Sequence, residues 1–177
     1  IHGDGGKLPL DPAQNTAAIA AAETLKAAGI ALGLSIELTK GLPLCSGLGS
    51  SAASAVAAAF ATNQLLGSPL RKMDLIAPCI EAEAAVAGRH ADNVAPALLG
   101  GLVLIRSTDP LDVIRLPIPD DLSVVVITPD SELPTREARA VLPEQVPLAT
   151  MVASSAQVAS LVSACYSGDL SLLSRSL

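Results

Sequence analysis

The order of elements in the sequence predicts an α+β fold in which a second domain is only begun. Three observations carry this. Helical and strand-like runs are mixed without strict alternation, in the order α-β-loop-α-α-α-β-β and then β-α-α. The stretch Pro117-Ile118-Pro119-Asp120-Asp121 reads as a boundary dividing residues 1–118 from 119–177. Directly after it stands the strongest strand signal in the chain, Leu122 to Thr128, a continuous Val/Ile run of the kind found in buried strands.

Each element has its own signal. His2 to Leu10 is Gly-rich and reads as a loop or a strand end. Asp11-Pro12 reads as an N-cap followed by proline at the first helical position, so a helix is expected from there to about Ala28, with Gly29 closing it. Ile19, Ala22, Leu25 and Ala28 would form its apolar face. A strand is expected over Ala31 to Leu38, then a Gly-Ser loop, then an Ala-rich helix from Ser51 to Leu66. Gly67-Ser68-Pro69 breaks the chain. Arg71 to Val86 is helical but contains Pro78, which predicts a kink or two short helices. Asn93 to Leu99 is a short helix. Leu102 to Arg106 and Val113 to Leu116 are strands joined by a turn at Asp109-Pro110. Beyond the boundary strand come a loop from Pro129 to Pro134, a helix from Thr135 to Leu142 and a long helix from about Pro147 to Tyr166. A last short helix follows Gly168-Asp169.

Composition narrows the class. Half of the residues are apolar, yet Phe60 and Tyr166 are the only aromatics. The core must be built from Ala, Val, Leu and Ile, with elements packed closely through alanine. A net charge of −6 and no basic stretch argue against non-specific nucleic-acid binding. Cys45, Cys79 and Cys165 are widely spaced with no C-x-x-C, which argues against a disulfide framework or a zinc site and suits a reducing compartment. Glu23 and Lys26 interrupt the first helical run, and no run reads as a membrane span.

The chemistry centres on Pro43-Leu44-Cys45-Ser46-Gly47-Leu48-Gly49-Ser50-Ser51-Ala52-Ala53. Glycines let the backbone approach an anion, and the helix that follows offers unpaired N–H groups and a partial positive charge. Serine hydroxyls can donate to phosphate oxygens or ligate magnesium. The string is not G-x-x-x-x-G-K-[S/T], since no lysine follows the second glycine. It is not G-x-G-x-x-G either, since Ala52 stands in the third position. A bland alternative is a Gly-Ser turn with Ser50 as helix cap. Further on, Glu81 and Glu83 lie two apart on an apolar helical run and point to different sides, so one is expected in solvent and the other can face a site, unless both are ordinary surface charges. His90-Ala91-Asp92-Asn93 gathers polar side chains beside Gly88, suited to a site or to a helix-capping turn. Thr135 and Arg139 open a helix where an arginine could meet a carboxylate or a phosphate.

The eleven-residue string resembles the nucleotide loop P-x-x-x-G-L-G-S-S-A-A of the galactokinase, homoserine kinase, mevalonate kinase and phosphomevalonate kinase superfamily. The run from Glu83 through Gly88, His90, Asp92-Asn93, Pro96 and Gly100-Gly101 resembles the homoserine kinase branch, as does Thr135 to Pro143. The resemblance extends over roughly Asn15 to Pro143. It implies a two-domain small-molecule kinase: an N-domain with a left-handed β-α-β unit and the start of a ferredoxin-like C-domain. It implies ATP and Mg2+ as cofactors and transfer of phosphate to L-homoserine in threonine biosynthesis. Another alcohol as acceptor, or a regulator that binds nucleotide without catalysis, is the alternative.

By resemblance, Pro43 to Ala53 would wrap the ATP phosphates and Asn15 would contact adenine. Glu83 and Ser51 would hold magnesium. His90, Asn93 and Arg139 would surround the amino acid, and Thr135 would sit near the transferred phosphoryl group. Asp92 occupies the place of a catalytic aspartate in related kinases. No nucleic-acid or membrane partner is implied. Members are often homodimers, in cytoplasm or, in photosynthetic eukaryotes, plastid stroma. Cys45 departs from the glycine or tiny residue common in this branch. Members also carry a substrate motif upstream and a G-x-G-P-type motif downstream that this sequence lacks, so the segment alone is expected to be poorly stable or inactive.

Overall fold

The computed structural model describes residues 1–86, 88–120, 122–127 and 141–177. Helix α1 is Thr16–Ala27. Its cap is Asn15 rather than the expected Asp11: Asn15 Oδ1 accepts from the amides of Ala17 (3.0 Å) and Ala18 (3.3 Å). Asp11 instead closes a separate turn, accepting from the Ala13 amide and the Gln14 side chain at 3.0 Å each. An Asp-Pro pair marks a turn start as readily as a helix start, and here a better-placed side chain caps the helix four residues later. The far end follows expectation. Gly29 takes φ +69°, and the amides of Gly29 and Ile30 donate to Lys26 O and Leu25 O.

Helix α2 is Ser50–Leu65. Asn63, buried at the end of α2, spans the Gly67-Ser68-Pro69 break by bonding both the carbonyl and the amide of Leu70. The next stretch does divide in two, as a 3-10 turn over Lys72–Leu75 and helix α3 over Ile76–Ala84. The division falls ahead of Pro78. That proline lies in the first turn of α3, where an amide has no helical partner to lose.

α1, α2 and α3 pack on one another through small residues. Ala20, Ala52, Ala55, Ala59 and Ala82 are completely buried, with Leu75, Ile76 and Cys79 among them. This is the aromatic-poor core that the composition requires. Burying Leu75 and Ile76 is worth about 1.5–3 kcal/mol each. Burial also pushes the Cys79 thiol up to about 12.

Helix α4, Val94–Leu99, leads through Gly100-Gly101 into an antiparallel hairpin of β1 (Leu102–Thr108) and β2 (Leu111–Leu116). The hairpin is a wall between two apolar clusters, sorted by the two-residue period of a strand. Val103, Ile105, Leu111 and Val113 face the helical core. Leu104, Ile114 and Leu116 face Ala164, Cys165 and Leu173. Those come from α5 (Leu148–Ser167) and α6 (Leu170–Arg175), the latter capped by Asp169.

Three further expectations are corrected. Ala31 to Leu38 forms no strand. Its end is tied to His2 by a single bridge, His2 N–H to Leu38 O and Lys40 N–H to His2 O, each 2.8 Å. Residues 122–127 form no strand either, and Val124, Val125 and Ile127 are 80%, 84% and 87% exposed. Both runs have the side chains of strands, but a strand also needs a lateral partner, which neither has among the described residues. Finally, α5 is long and apolar enough to cross a membrane by length and composition, against the expectation that no run reaches that threshold. It passes because it carries no charged residue over 20 positions. Thr128 at the end of the expected strand, the whole expected loop from Pro129 to Pro134 and the expected helix start at Thr135 lie outside the described residues.

Candidate active site

A cavity of about 730 Å³ opens where the N-terminal turn, the loop before α2, the end of α3 and the turn before α4 converge. The loop supplies Leu44, Cys45, Ser46, Gly47, Gly49, Ser50 and Ser51 to its lining. Pro43, Leu48, Ala52 and Ala53 of the same string do not line it, and Ala52 is wholly buried in the helical core. The last alanines thus serve helix packing.

Gly49, at φ +66°, is the N-cap of α2, which displaces the alternative of Ser50 as cap. The first helical bond runs from Ala53 N–H to Gly49 O, so the amides of residues 50–52 have no intrahelical acceptor. The three serines divide their work. Ser46 Oγ donates to Pro43 O (3.0 Å) and Ser50 Oγ donates to Leu42 O (3.2 Å), so both close the loop on itself. Ser51 Oγ donates instead to Glu83 Oε2 at 3.2 Å. Cys45 sits at φ +54°, a left-handed conformation that favours glycine and that costs a residue with a Cβ about 1–2 kcal/mol.

The glutamates separate as the helix geometry requires. Glu81 is partly exposed and pairs with Arg89 at 2.6 Å. Glu83 is buried at 4% exposure, and its Oε1 has no hydrogen-bond partner among the described residues. Burial raises the Glu83 carboxyl above the ordinary carboxylate range, opposed by the Ser51 hydrogen bond, and nearby Asp92 raises it further. An unpartnered carboxylate oxygen beside a serine hydroxyl at a cavity wall is a fit for a hard divalent cation such as magnesium, which takes one or two protein oxygens and keeps waters.

His90, Asp92 and Asn93 all line the same cavity. Asn93 lies against the loop: a Cβ at Gly49 would come within 3.1 Å of Asn93 Oδ1. The His90 ring lies against Gly88, where a Cβ would come within 2.8 Å of Nε2. Asp92 Oδ1 accepts from the Asn93 amide at 3.2 Å. Asn15 also reaches the cavity, but its oxygen is committed to capping α1 and its Nδ2 donates to Pro9 O at 3.0 Å. Only one amide hydrogen of Asn15 remains for a ligand. Thr135 and Arg139 lie outside the described residues.

The sequence reading missed Lys40, Lys7 and Gln14, which also line the cavity. Lys40 Nζ donates to Ser50 O and Ser54 Oγ, each at 2.6 Å. The one signal for it was a lone charge between a strand-like run and the Gly-Ser loop.

A helix N-terminus whose first amides lack intrahelical acceptors, a glycine loop and a part-buried serine–carboxylate pair together offer what an anion and a hard cation would need. Residues 15–101 match the family model described as GHMP kinases N terminal domain, and this segment belongs to that family. The relatives that the chain resembles are more particular. It is 45% identical over 184 residues to the homoserine kinase of Chlorobium phaeobacteroides, covering 100% of this chain and 58% of that protein. It is 49% identical over 180 residues to the homoserine kinase of Arabidopsis thaliana, covering 100% of this chain and 49% of that protein. The crystal structure of homoserine kinase from Cytophaga hutchinsonii superposes with a TM-score of 0.95 at 48% identity, over 99% of this chain and 56% of that one. The chain therefore spans about half the length of the relatives it matches.

Proposed function

We propose that the protein containing this chain is an ATP-dependent kinase that phosphorylates the side-chain hydroxyl of L-homoserine, giving O-phospho-L-homoserine and ADP. Residues 1–118 act as the ATP-binding domain and 119–177 open the second domain. The observation that carries the chemistry is the Ser51–Glu83 pair with its orphaned Oε1 at the start of α2. The observation that favours this acceptor is the shared name of relatives at 45% and 49% identity.

In this reading the amides of residues 50–52 and the α2 N-terminus take the phosphates. Ser51 and Glu83 hold magnesium, which neutralises phosphate charge when bound. His90 binds the amino acid, while Asn93 with Arg139 orients its hydroxyl for direct attack on the γ-phosphorus. Thr135 sits beside that phosphoryl group. Asp92 supports Asn93 through its amide. Phosphoryl transfer asks mainly for alignment and charge neutralisation, which this set supplies without a dedicated base. The compartment is cytoplasm, or plastid stroma in a plant.

The test is ADP release by the full-length protein with Mg-ATP, offered homoserine, mevalonate, galactose or no acceptor in parallel. Release with homoserine alone is expected. Release with another alcohol overturns the acceptor, and ATP binding without release under any condition overturns catalysis. Arg139→Leu is expected to raise KM for homoserine more than KM for ATP.

A further inference from the structure

Lys40, like Lys7, is a charged group lining this site to which the proposed reaction assigns no task. It is half-buried, and burial lowers its ammonium below the ordinary range, opposed by the charge of Glu83. Both ends of the residue are fixed. Its backbone amide donates to His2 O at 2.8 Å, and its carbonyl lies so close to Gly3 that a Cβ there would approach it to 2.7 Å. Its Nζ reaches under the first turn of α2 to Ser50 O and Ser54 Oγ. Ser54, itself buried, donates onward to Ser50 O at 3.1 Å, which closes a three-membered hydrogen-bonded ring.

This placement is odd for stability alone. The N-terminus of a helix already carries partial positive charge, and a cation there is unfavourable. A half-buried ammonium adds a desolvation cost. Two of its three N–H donors are nonetheless spent on this turn. Ser50 and Ser51 are adjacent, so the same turn is gripped on one side by Lys40 through Ser50 and on the other by Glu83 through Ser51.

We propose that Lys40 is a positioning residue that pins the first turn of α2, pre-setting the free amides of residues 50–52 and the Ser51 hydroxyl before any ligand arrives. The proposal rests on the reading that this turn receives nucleotide phosphate. An incoming anion then meets amides already aligned and a net positive end, so the ordering cost is met during folding.

The test uses the full-length protein with Lys40→Met, Lys40→Arg and Ser54→Ala. Amide hydrogen exchange at Ala53 and Ser54, the first hydrogen-bonded amides of that turn, is measured without nucleotide, and KM for ATP is measured separately from kcat. Loss of a charged anchor predicts about tenfold faster exchange in that turn for Lys40→Met, with α3 unaffected. KM for ATP is expected to rise more than kcat falls, and Lys40→Arg to recover part of both. Ser54→Ala, which leaves the lysine in place and removes one anchor, is expected to be intermediate. Unchanged exchange in Lys40→Met with a raised KM would make Lys40 a ligand only and overturn the proposal. Should Lys40→Met not fold, unchanged exchange in Ser54→Ala overturns it. The exchange readout needs no turnover, so it stands apart from the outcome of the kinase assay.

Discussion

α2 and α5 are two helices of the same kind to a reader of sequence. Both are rich in alanine and serine, and neither contains a charged residue. Yet α2 buries residues along its whole length, from Ser50 to Asn63, while α5 buries only Ala164 and Cys165 near its end. Hydropathy therefore does not locate the core. Spacing and partners do. Ala52, Ala55 and Ala59 recur on one face of α2 and meet Ala20 of α1, so small side chains let the axes approach. The first two turns of α5 have no described neighbour to bury against. The buried helix is also the one whose start lines the cavity.

The largest expected effect concerns the group that grips that start. Glu83→Gln in the full-length protein should lower kcat by about 10²–10³-fold, the scale for losing a preorganised charge-stabilising group. Stability should move the other way. Burial raises the folded carboxyl above its ordinary value of 4.5. The stabilisation linked to this group is then present below that value and is lost as pH rises through the raised one. Removing the charge should make the variant's melting temperature exceed the parent's at neutral pH, with the gap closing toward acid. A gap independent of pH would show that the Glu83 charge is not what burial penalises.

Overpacking comes next. Ala55→Leu or Ala59→Leu should cost about 1–3 kcal/mol in denaturant titration, because α2 has no room beside α1. Asn15→Ala should cost about 1 kcal/mol by removing the cap of α1. Smallest is Ala153→Leu in α5, expected within about 0.5 kcal/mol of the parent chain as an exposed change. A cost in α5 equal to that in α2 would break the contrast between the two helices.

What the sequence disclosed follows the same division. Signals that act locally were legible: Gly29 closing α1, Gly67-Ser68-Pro69 ending α2, Asp109-Pro110 turning the hairpin, Asp169 capping α6. Signals that depend on a distant partner were not. Leu34 to Leu38 and Val124 to Ile127 look like strands, and alternation or β-branching cannot say whether anything pairs with them. At the site, the glycine loop and Glu83 were readable because their residue types are unusual for their surroundings. Lys40 was not, since its bonds to Ser50 and Ser54 span 10 and 14 positions and no local pattern encodes them.

The contact between Gly49 and Asn93 has a kinetic consequence. In the proposed reading Gly49 caps the helix that receives the nucleotide and Asn93 belongs to the turn that receives the amino acid, and a Cβ added at Gly49 would come within 3.1 Å of Asn93 Oδ1. Two reactants that share so thin a partition do not saturate independently. Occupancy on one side sets the wall for the other, so initial-rate plots are expected to show the affinity for each reactant changing with the concentration of its partner.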